Sequence, residues 1–528
     1  MKIAKFAVLG LALFSSGLWN LGTTMVSTSQ PSHPNIVFIL TDDMDMSALA
    51  VMPKLKTLVT DQGTSFSNFF ISFSLCCPSR TTILRSQYTH NTQIFGNTPN
   101  EHGGFQTFHA LGEENSTIAT WLQAAGYKTM LAGKYLNGYP ATVATTYVPP
   151  GWSEWYSPEE GGGYAEYNYA LNENGKIVRY GSNPDDYGTD VYAKKTIDFI
   201  QRTAKEGKPF FVYLSTFAPH SPSTPAPRHT NLFLDAKAPR TPNYNEADVS
   251  DKPSYIRNRQ PLTPQEITRI DADTRLRLQS LQAVDEAIAS IVDTLKSLGQ
   301  LDNTYIFFSS DNGFHLGNHR QLEGKIAPYE EEIKVPLMVR GPGVPAGKTL
   351  SHLVGNVDFA PTWAEIASTK TPDFVDGRSL MPLLGSNPPA FEAWRQSFIV
   401  ENSDVDKRAE ASSQDTTALL AQADPSQLEP ADLDEIFAQP DQQGGQPAPG
   451  AQGIPPFRGL YTKDYTYIEY VTGEKELYDR NKDPYQLQNI VNTADPTLVK
   501  QLSERLAQMK RCAAATCRSI EATPLNVR

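Results

Sequence analysis

Short unbroken runs of apolar residues, separated by longer segments with helical spacing, set the pattern of this chain. Residues 35–40 (Asn-Ile-Val-Phe-Ile-Leu), 209–214 (Pro-Phe-Phe-Val-Tyr-Leu) and 304–309 (Thr-Tyr-Ile-Phe-Phe-Ser) are each followed by polar residues. Runs of this length without polar alternation predict strands covered on both faces, as in an α/β sheet held between helices. Between 262 and 299, Leu276, Leu278, Leu281, Val284, Ala287, Ile288 and Ile291 recur near helical spacing. They predict one long helix that covers the sheet and carries no chemistry. Residues 116–139 read as helix, turn, strand and loop, with Ser116 as the cap, Gly126 as the stop and 129–131 leading into the loop 133–139. Residues 457–478 alternate aromatic, apolar and polar positions, which predicts an antiparallel sheet, and a helix over about 497–511 closes the chain.

Composition adds limits to this picture. At 528 residues, with 39% apolar and 20% charged positions, the chain is an ordinary globular protein too long for one typical domain. The net charge of −12 argues against nucleic acid as a partner. Most of that charge is local: residues 403–456 hold ten acidic against two basic side chains, a charge of −8 that leaves about −4 to the rest. This stretch is rich in Gln, Asp, Ala, Pro and Ser with few apolar residues, so it reads as a disordered acidic insertion. Residues 1–20 combine Lys2 and Lys5 with a short apolar run, the pattern of a cleaved secretory signal too short to span a bilayer. The expected mature protein is secreted or periplasmic, with no membrane span. Of four cysteines, Cys512 and Cys517 are spaced for a small disulfide loop, leaving Cys76 and Cys77. The organisation read from these features is a leader over 1–31, a catalytic domain over 32–385 and a C-terminal subdomain over 386–528 that contains the insertion.

Candidate chemistry sits where the apolar runs end, the edge of an α/β sheet at which ligands collect. The run 35–40 leads into Asp42 and Asp43, and the run 304–309 into Asp311 and Asn312. Adjacent carboxylates are costly to bury without a cation. Two separated pairs that offer only oxygen suit a hard ion, Ca²⁺ or Mg²⁺. Asp45 lies nearby but outside this pattern. His220, just past the run 209–214 and flanked by prolines, is placed for acid–base work. Downstream, His315 and His319 line a substrate pocket or decorate a loop.

The stretch Leu75-Cys76-Cys77-Pro78-Ser79-Arg80 puts two thiols, a proline suited to a first helical turn and an arginine within one turn. The free N–H groups of such a turn favour a thiolate or anion at Cys76, and Arg80 offers a fork of donors to an oxyanion. The spacing C-x-P-x-R resembles the type I sulfatases, and it selects Cys76 because only Cys76 has proline at +2 and arginine at +4. Gly133-Lys134-Tyr135-Leu136-Asn137 and Glu323-Gly324-Lys325 resemble the two sulfate-binding lysine segments of that family, and Ala218-Pro219-His220 resembles its histidine segment. Many members carry a histidine two residues after the first lysine; here that position is Leu136, with Asn137 as its partial substitute, as in the branch that resembles N-acetylglucosamine-6-sulfatases.

The resemblance implies an alkaline-phosphatase-like sandwich with a large mixed central sheet and a small C-terminal antiparallel sheet. It also implies that a maturation enzyme converts Cys76 to 3-oxoalanine (formylglycine), whose hydrate attacks the sulfur of an ester. Asp42, Asp43, Asp311 and Asn312 would hold Ca²⁺, or Mg²⁺ in its place, with the modified residue 76 in contact with it. Lys134, Lys325 and Arg80 would stabilise the sulfuryl group, His220 would protonate the leaving alcohol, and Asn137 and His315 would bind substrate. The implied substrate is a sulfated glycan such as N-acetylglucosamine-6-sulfate, or an aryl sulfate. The competing readings are a phosphonate monoester or phosphodiester hydrolase of the same superfamily and an inactive exported binding protein.

Overall fold

The computed structural model describes residues 33–159, 162–402 and 453–525. The leader expected over 1–31 and all but the last four residues of the expected insertion 403–456 lie outside the described residues.

Four parallel strands form the centre, in the spatial order Thr304–Ser310, Asn35–Thr41, Phe210–Ser215 and Lys128–Gly133. Leu337–Arg340, Thr64–Phe66 and Lys348–Leu350 extend the sheet beyond the first of these, and Glu154–Pro158, Ala170–Glu173 and Lys176–Arg179 extend it beyond the last. The layer thus has ten strands, and antiparallel pairing at Leu337–Arg340 and Ala170–Glu173 makes it mixed.

Successive side chains of a strand point to opposite faces, and here each face meets a different set of helices. Ile36, Phe38 and Leu40 join a core with the helices Ile118–Ala124 and Phe359–Ile366, where Phe38 packs at a tilt against Phe359 and Trp363 at ring separations of 4.9 and 4.8 Å. Val37 and Ile39 face the helices Gly188–Lys205 and Pro264–Ser297. Each such side chain, fully buried, stabilises the fold by about 1.5–3 kcal/mol. Burial on both faces is the reason the run shows no polar alternation.

Local differences from the sequence pattern have local causes. Thr117, rather than Ser116, precedes the helix Ile118–Ala124, and Ser116 accepts from the indole of Trp121 instead. In the long helix, Leu276 is solvent-exposed while its neighbour Arg277 is buried. Asp45 caps the short helix Met46–Val51 through Ser47 N at 2.8 Å, a structural task.

The chain then builds a four-stranded antiparallel sheet from Ser397–Asn402, Phe457–Thr462, Tyr465–Tyr470 and Lys475–Asp479. The last three strands are those the aromatic alternation marks; Ser397–Asn402 is a buried run outside it. Leu502, Leu506 and Met509 of the helix Pro496–Met509 pack in this core. Cys512 and Cys517 form the expected disulfide.

Candidate active site

All four central strands deliver their next residues to one buried cluster. Asp42 and Asp43 follow Thr41, Asp311 and Asn312 follow Ser310, Lys134 follows Gly133, and His220 lies five residues past Ser215. The helix Cys76–Arg85 points its first turn at the same place, with Leu75 extended before it. Gly133 has φ +103°, and a side chain there would place its Cβ 1.8 Å from the Ser215 carbonyl oxygen, so only glycine lets Lys134 turn in. Asp43 adopts φ +65°, a left-handed conformation that is rare for a non-glycine residue and is concentrated at functional sites. It is pinned there: its N–H donates to Asp311 Oδ1 at 3.1 Å and its carbonyl accepts from Arg277.

The geometry around Cys76 is dense. Lys325 Nζ lies 2.9 Å from its Sγ and 3.0 Å from Asp43 Oδ1. The thiol points at Asp42 Oδ1, 3.6 Å away, while Lys134 Nζ donates to Asp42 Oδ2 at 2.7 Å. Arg80 donates through Nε to Asp311 Oδ2 at 2.8 Å and through Nη1 to Ser215 Oγ at 2.7 Å, leaving its buried Nη2 without a hydrogen bond. His220 donates Nδ1–H to the Ser221 carbonyl at 2.7 Å. Its Nε2 is buried, makes no hydrogen bond and lies 3.6 Å from Asp43 Oδ2.

Electrostatics follow from burial. Three carboxylates and three permanent or near-permanent cations share a site with almost no water, so each charge depends on its neighbours. Burial pushes the Asp42 carboxyl up, but Lys134, with His220, Arg80 and Lys325, more than reverses this and holds it below the usual range. Asp43 behaves alike, with Lys325 as the main opponent of burial. Asp311 is not rescued: burial and the neighbouring Asp42 push its carboxyl up to about 6 despite Arg80 and Lys134. The Cys76 thiol is also raised well above its usual value, because burial outweighs Lys134 and Lys325. The thiolate expected at this helix start is therefore not favoured, and Cys76 as an unmodified side chain is a poor nucleophile. Burial likewise pushes Cys77 up to about 12.

The residues present fit a divalent cation. Asp42, Asp43, Cys76 and His220 hold potential ligand atoms within 4.8 Å of one another. Asn312 adds a buried Oδ1 with no partner, while its Nδ2 donates to Asp43 Oδ1 at 2.6 Å. Turning that amide would bring its oxygen against Asp43, the arrangement a shared hard ion requires. Oxygen donors dominate the set, which suits Ca²⁺ or Mg²⁺ over softer metals.

Asn137 and His315 reach the cluster only indirectly. Asn137 Nδ2 donates to the Tyr164 hydroxyl at 3.3 Å, and Tyr164 in turn faces Lys134. His315 pairs across a short hairpin with Gly324, the residue before Lys325, and its Nδ1 contacts Glu332 Oε1 at 2.7 Å. His319 is structural: it is fully buried, with Nδ1 2.6 Å from Glu246 and its ring stacked 4.1 Å from Tyr329. Arg277, Ser215 and Tyr164 belong to the surroundings of the site without any sequence motif to mark them. Arg277 corrects the reading of the long helix as free of chemistry, since it donates to the carbonyls of Asp43 and Pro219. The buried face of this helix also carries Asp271, Thr274, Gln279, Ser280 and Asp285, so the sequence pattern does not single Arg277 out.

Comparison with known proteins agrees with this geometry. The sulfatase family model matches residues 34–369. The N-acetylglucosamine-6-sulfatase of Capra hircus is 35% identical over 495 residues, covering 92% of this chain and 85% of that protein. A Drosophila melanogaster extracellular sulfatase homologue is 37% identical over 391 residues, 73% of this chain, and the chain spans only 34% of that longer protein. A solved structure described in complex with its substrate, D-glucosamine-2-N,6-O-disulfate, superimposes with a TM-score of 0.70 at 24% identity, over 92% of this chain and 99% of the other.

Proposed function

The chain belongs to the sulfatase family, with its alkaline-phosphatase-like sandwich, and we propose from that premise that it is a sulfuric ester hydrolase releasing sulfate from 6-sulfated N-acetylglucosamine or a related sulfated glycan. The observation that carries the proposal is the meeting at Cys76 of Lys325, 2.9 Å away, with Asp42 and its partner Lys134. Conversion of Cys76 to formylglycine by a maturation enzyme would supply a hydrated aldehyde as nucleophile where the buried thiol supplies none. A Ca²⁺ or Mg²⁺ ion held by Asp42, Asp43, Asp311 and Asn312 would supply positive charge beside residue 76.

The chain's own residues do the rest. Lys134 and Lys325 place two buried ammonium groups near residue 76, and Arg80, whose Nη2 makes no hydrogen bond and lies 3.7 Å from Asp42 Oδ2, adds a third cation for the sulfuryl oxygens. Charges fixed in a dry site stabilise a developing anion without reorganisation. The Ser221 carbonyl keeps a proton on His220 Nδ1, so only Nε2 can pass a proton to the departing alcohol. That nitrogen lies 3.6 Å from Asp43 Oδ2, at the edge of the cluster around residue 76. Asn137 and His315 are proposed to contact the sugar. Among the described residues no helix is long and apolar enough to cross a membrane, which with the extracellular relatives supports a secreted or periplasmic enzyme.

Mass spectrometry of the peptide 71–80 tests the nucleophile: formylglycine in place of cysteine lowers its mass by about 18 Da. The matured protein should hydrolyse 4-nitrophenyl sulfate and N-acetylglucosamine-6-sulfate, and Cys76→Ala and Cys76→Ser should both abolish turnover in folded protein. Faster hydrolysis of a matched aryl phosphonate, or a fully active Cys76→Ala protein, would overturn the proposal.

A further inference from the structure

Tyr164 lies between three site residues from two segments of the chain, Lys134 and Asn137 from one and His220 from the other. The Lys134 ammonium sits over its ring, 4.8 Å from the centroid. The imidazole of His220 stands 4.7 Å from the same ring at an interplanar angle of 53°. Its hydroxyl accepts from Asn137 Nδ2 at 3.3 Å. The residue is 5% exposed. Phe217, one turn of chain before His220, packs edge-on against the ring at 4.8 Å. A side chain at Gly163 would place its Cβ 2.2 Å from the Phe217 ring, so the glycine is what lets the segment close on Phe217 and seat Tyr164.

These contacts have a defined physical consequence. The face of an aromatic ring is electron-rich and attracts an ammonium placed within about 6 Å of it, more strongly in a desolvated site. Lys134 Nζ is thereby fixed from two directions, by Asp42 Oδ2 at 2.7 Å and by the ring. His220 has one anchoring hydrogen bond, from Nδ1, which leaves rotation about that bond to be limited by packing. The Tyr164 ring supplies that packing at a separation typical of stable aromatic pairs. Beside these residues is a cavity of about 20 Å³, enough for a single water, with Lys134, Asn137 and Ser157 in its lining alongside Leu136, Pro158 and Phe217. Asn137 Oδ1, buried and unpaired, is its natural anchor.

We propose that Tyr164 is a positioning residue of the reaction, which holds the sulfate-binding ammonium of Lys134 and the proton-donating nitrogen of His220 in fixed relation while its hydroxyl anchors Asn137. The inference rests on the sulfatase reading of the site and adds to it a residue that no sequence motif marks. A misaligned general acid slows esters with poor leaving groups more than esters whose alcohol leaves unaided. Placement of His220 can therefore be read separately from overall damage.

The test compares matured wild type, Tyr164→Phe and Tyr164→Leu on phenyl sulfate and 4-nitrophenyl sulfate, with thermal melts to establish folding. Tyr164→Leu should lose about tenfold more kcat/KM on phenyl sulfate than on 4-nitrophenyl sulfate, a fraction of the range a general acid commands. Tyr164→Phe keeps the ring and should keep the wild-type ratio between the two esters, with KM raised for the sugar substrate through loss of the Asn137 anchor. Equal losses on both esters in Tyr164→Leu, or a ratio in Tyr164→Phe that departs from wild type, would overturn the inference. The phenylalanine comparison stands even where the leucine variant does not fold. A wild type carrying formylglycine yet inert on every sulfate ester would overturn the parent reading instead.

Discussion

Glu166 gives a prediction whose size and sign both come from its surroundings. Its carboxylate is 2% exposed and accepts from Thr189 N at 2.6 Å and Thr189 Oγ1 at 3.0 Å, at the start of the helix Gly188–Lys205. No cation pairs with it among these contacts, so burial pushes its carboxyl up from 4.5 to about 8, with only the Thr189 donors opposing. Between those two values the folded chain keeps a proton that the unfolded chain has shed. Stability is therefore full below about pH 4.5 and declines as pH rises toward 8. At about 1.4 kcal/mol per pH unit, the decline attributable to this one group is on the order of 3–5 kcal/mol. Glu166→Gln keeps the shape and removes the proton. The variant should match wild type at pH 5 and exceed it at pH 8 by a few kcal/mol, read as the difference between urea-unfolding midpoints at the two values. Parallel pH profiles for wild type and variant would refute the reasoning, since they would show that Glu166 is ionised in the fold throughout.

Three further outcomes are expected. Arg277→Met strips Asp43 and Pro219 of a buried cationic donor, so it should cost about 2–3 kcal/mol in a melt and lower turnover, because Asp43 loses the contact that fixes its left-handed backbone. Chelation should abolish sulfatase activity, and adding Ca²⁺ to the chelated protein should raise its melting temperature, with a free-energy gain of about 2.7 kcal/mol at a concentration one hundred times Kd; an unchanged melt would argue against an ion at Asp42, Asp43, Asp311 and Asn312. Replacing Cys512 and Cys517 by serine opens a loop closed over a separation of five residues and should cost about 2 kcal/mol by loop entropy, measured by denaturant unfolding under oxidising conditions.

The sheet was legible because its central strands are buried twice over, which leaves unbroken apolar runs that end at the residues of the site. The ligand candidates Asp42, Asp43, Asp311 and Asn312 could be paired in advance because burying carboxylates is expensive, and two expensive pairs invite one explanation. The surroundings were not legible. Arg277 sits beside Leu276 in a pattern of helical spacing, and only the fold reveals that the leucine faces water while the arginine faces Asp43. His315 and His319 look equivalent as loop histidines. Their partners, Glu332 and Glu246, are 17 and 73 residues away, and those partners divide the two roles. The state of the Cys76 thiol is hidden from the sequence for a similar reason. A helix start favours an anion, but that contribution is small beside the loss of water, which depends on everything packed around it.

Strand Ser397–Asn402 and strand Phe457–Thr462 meet with Asn402 directly opposite Phe457. The chain thus leaves the small sheet and, more than fifty residues later, re-enters it one rung away, as a hairpin would. Because the entropy of closing a loop grows only with the logarithm of its length, the register of this sheet is nearly indifferent to what is threaded between its ends. The junction is a natural port, where an engineer could graft a carbohydrate-binding module or an affinity handle with both ends already anchored.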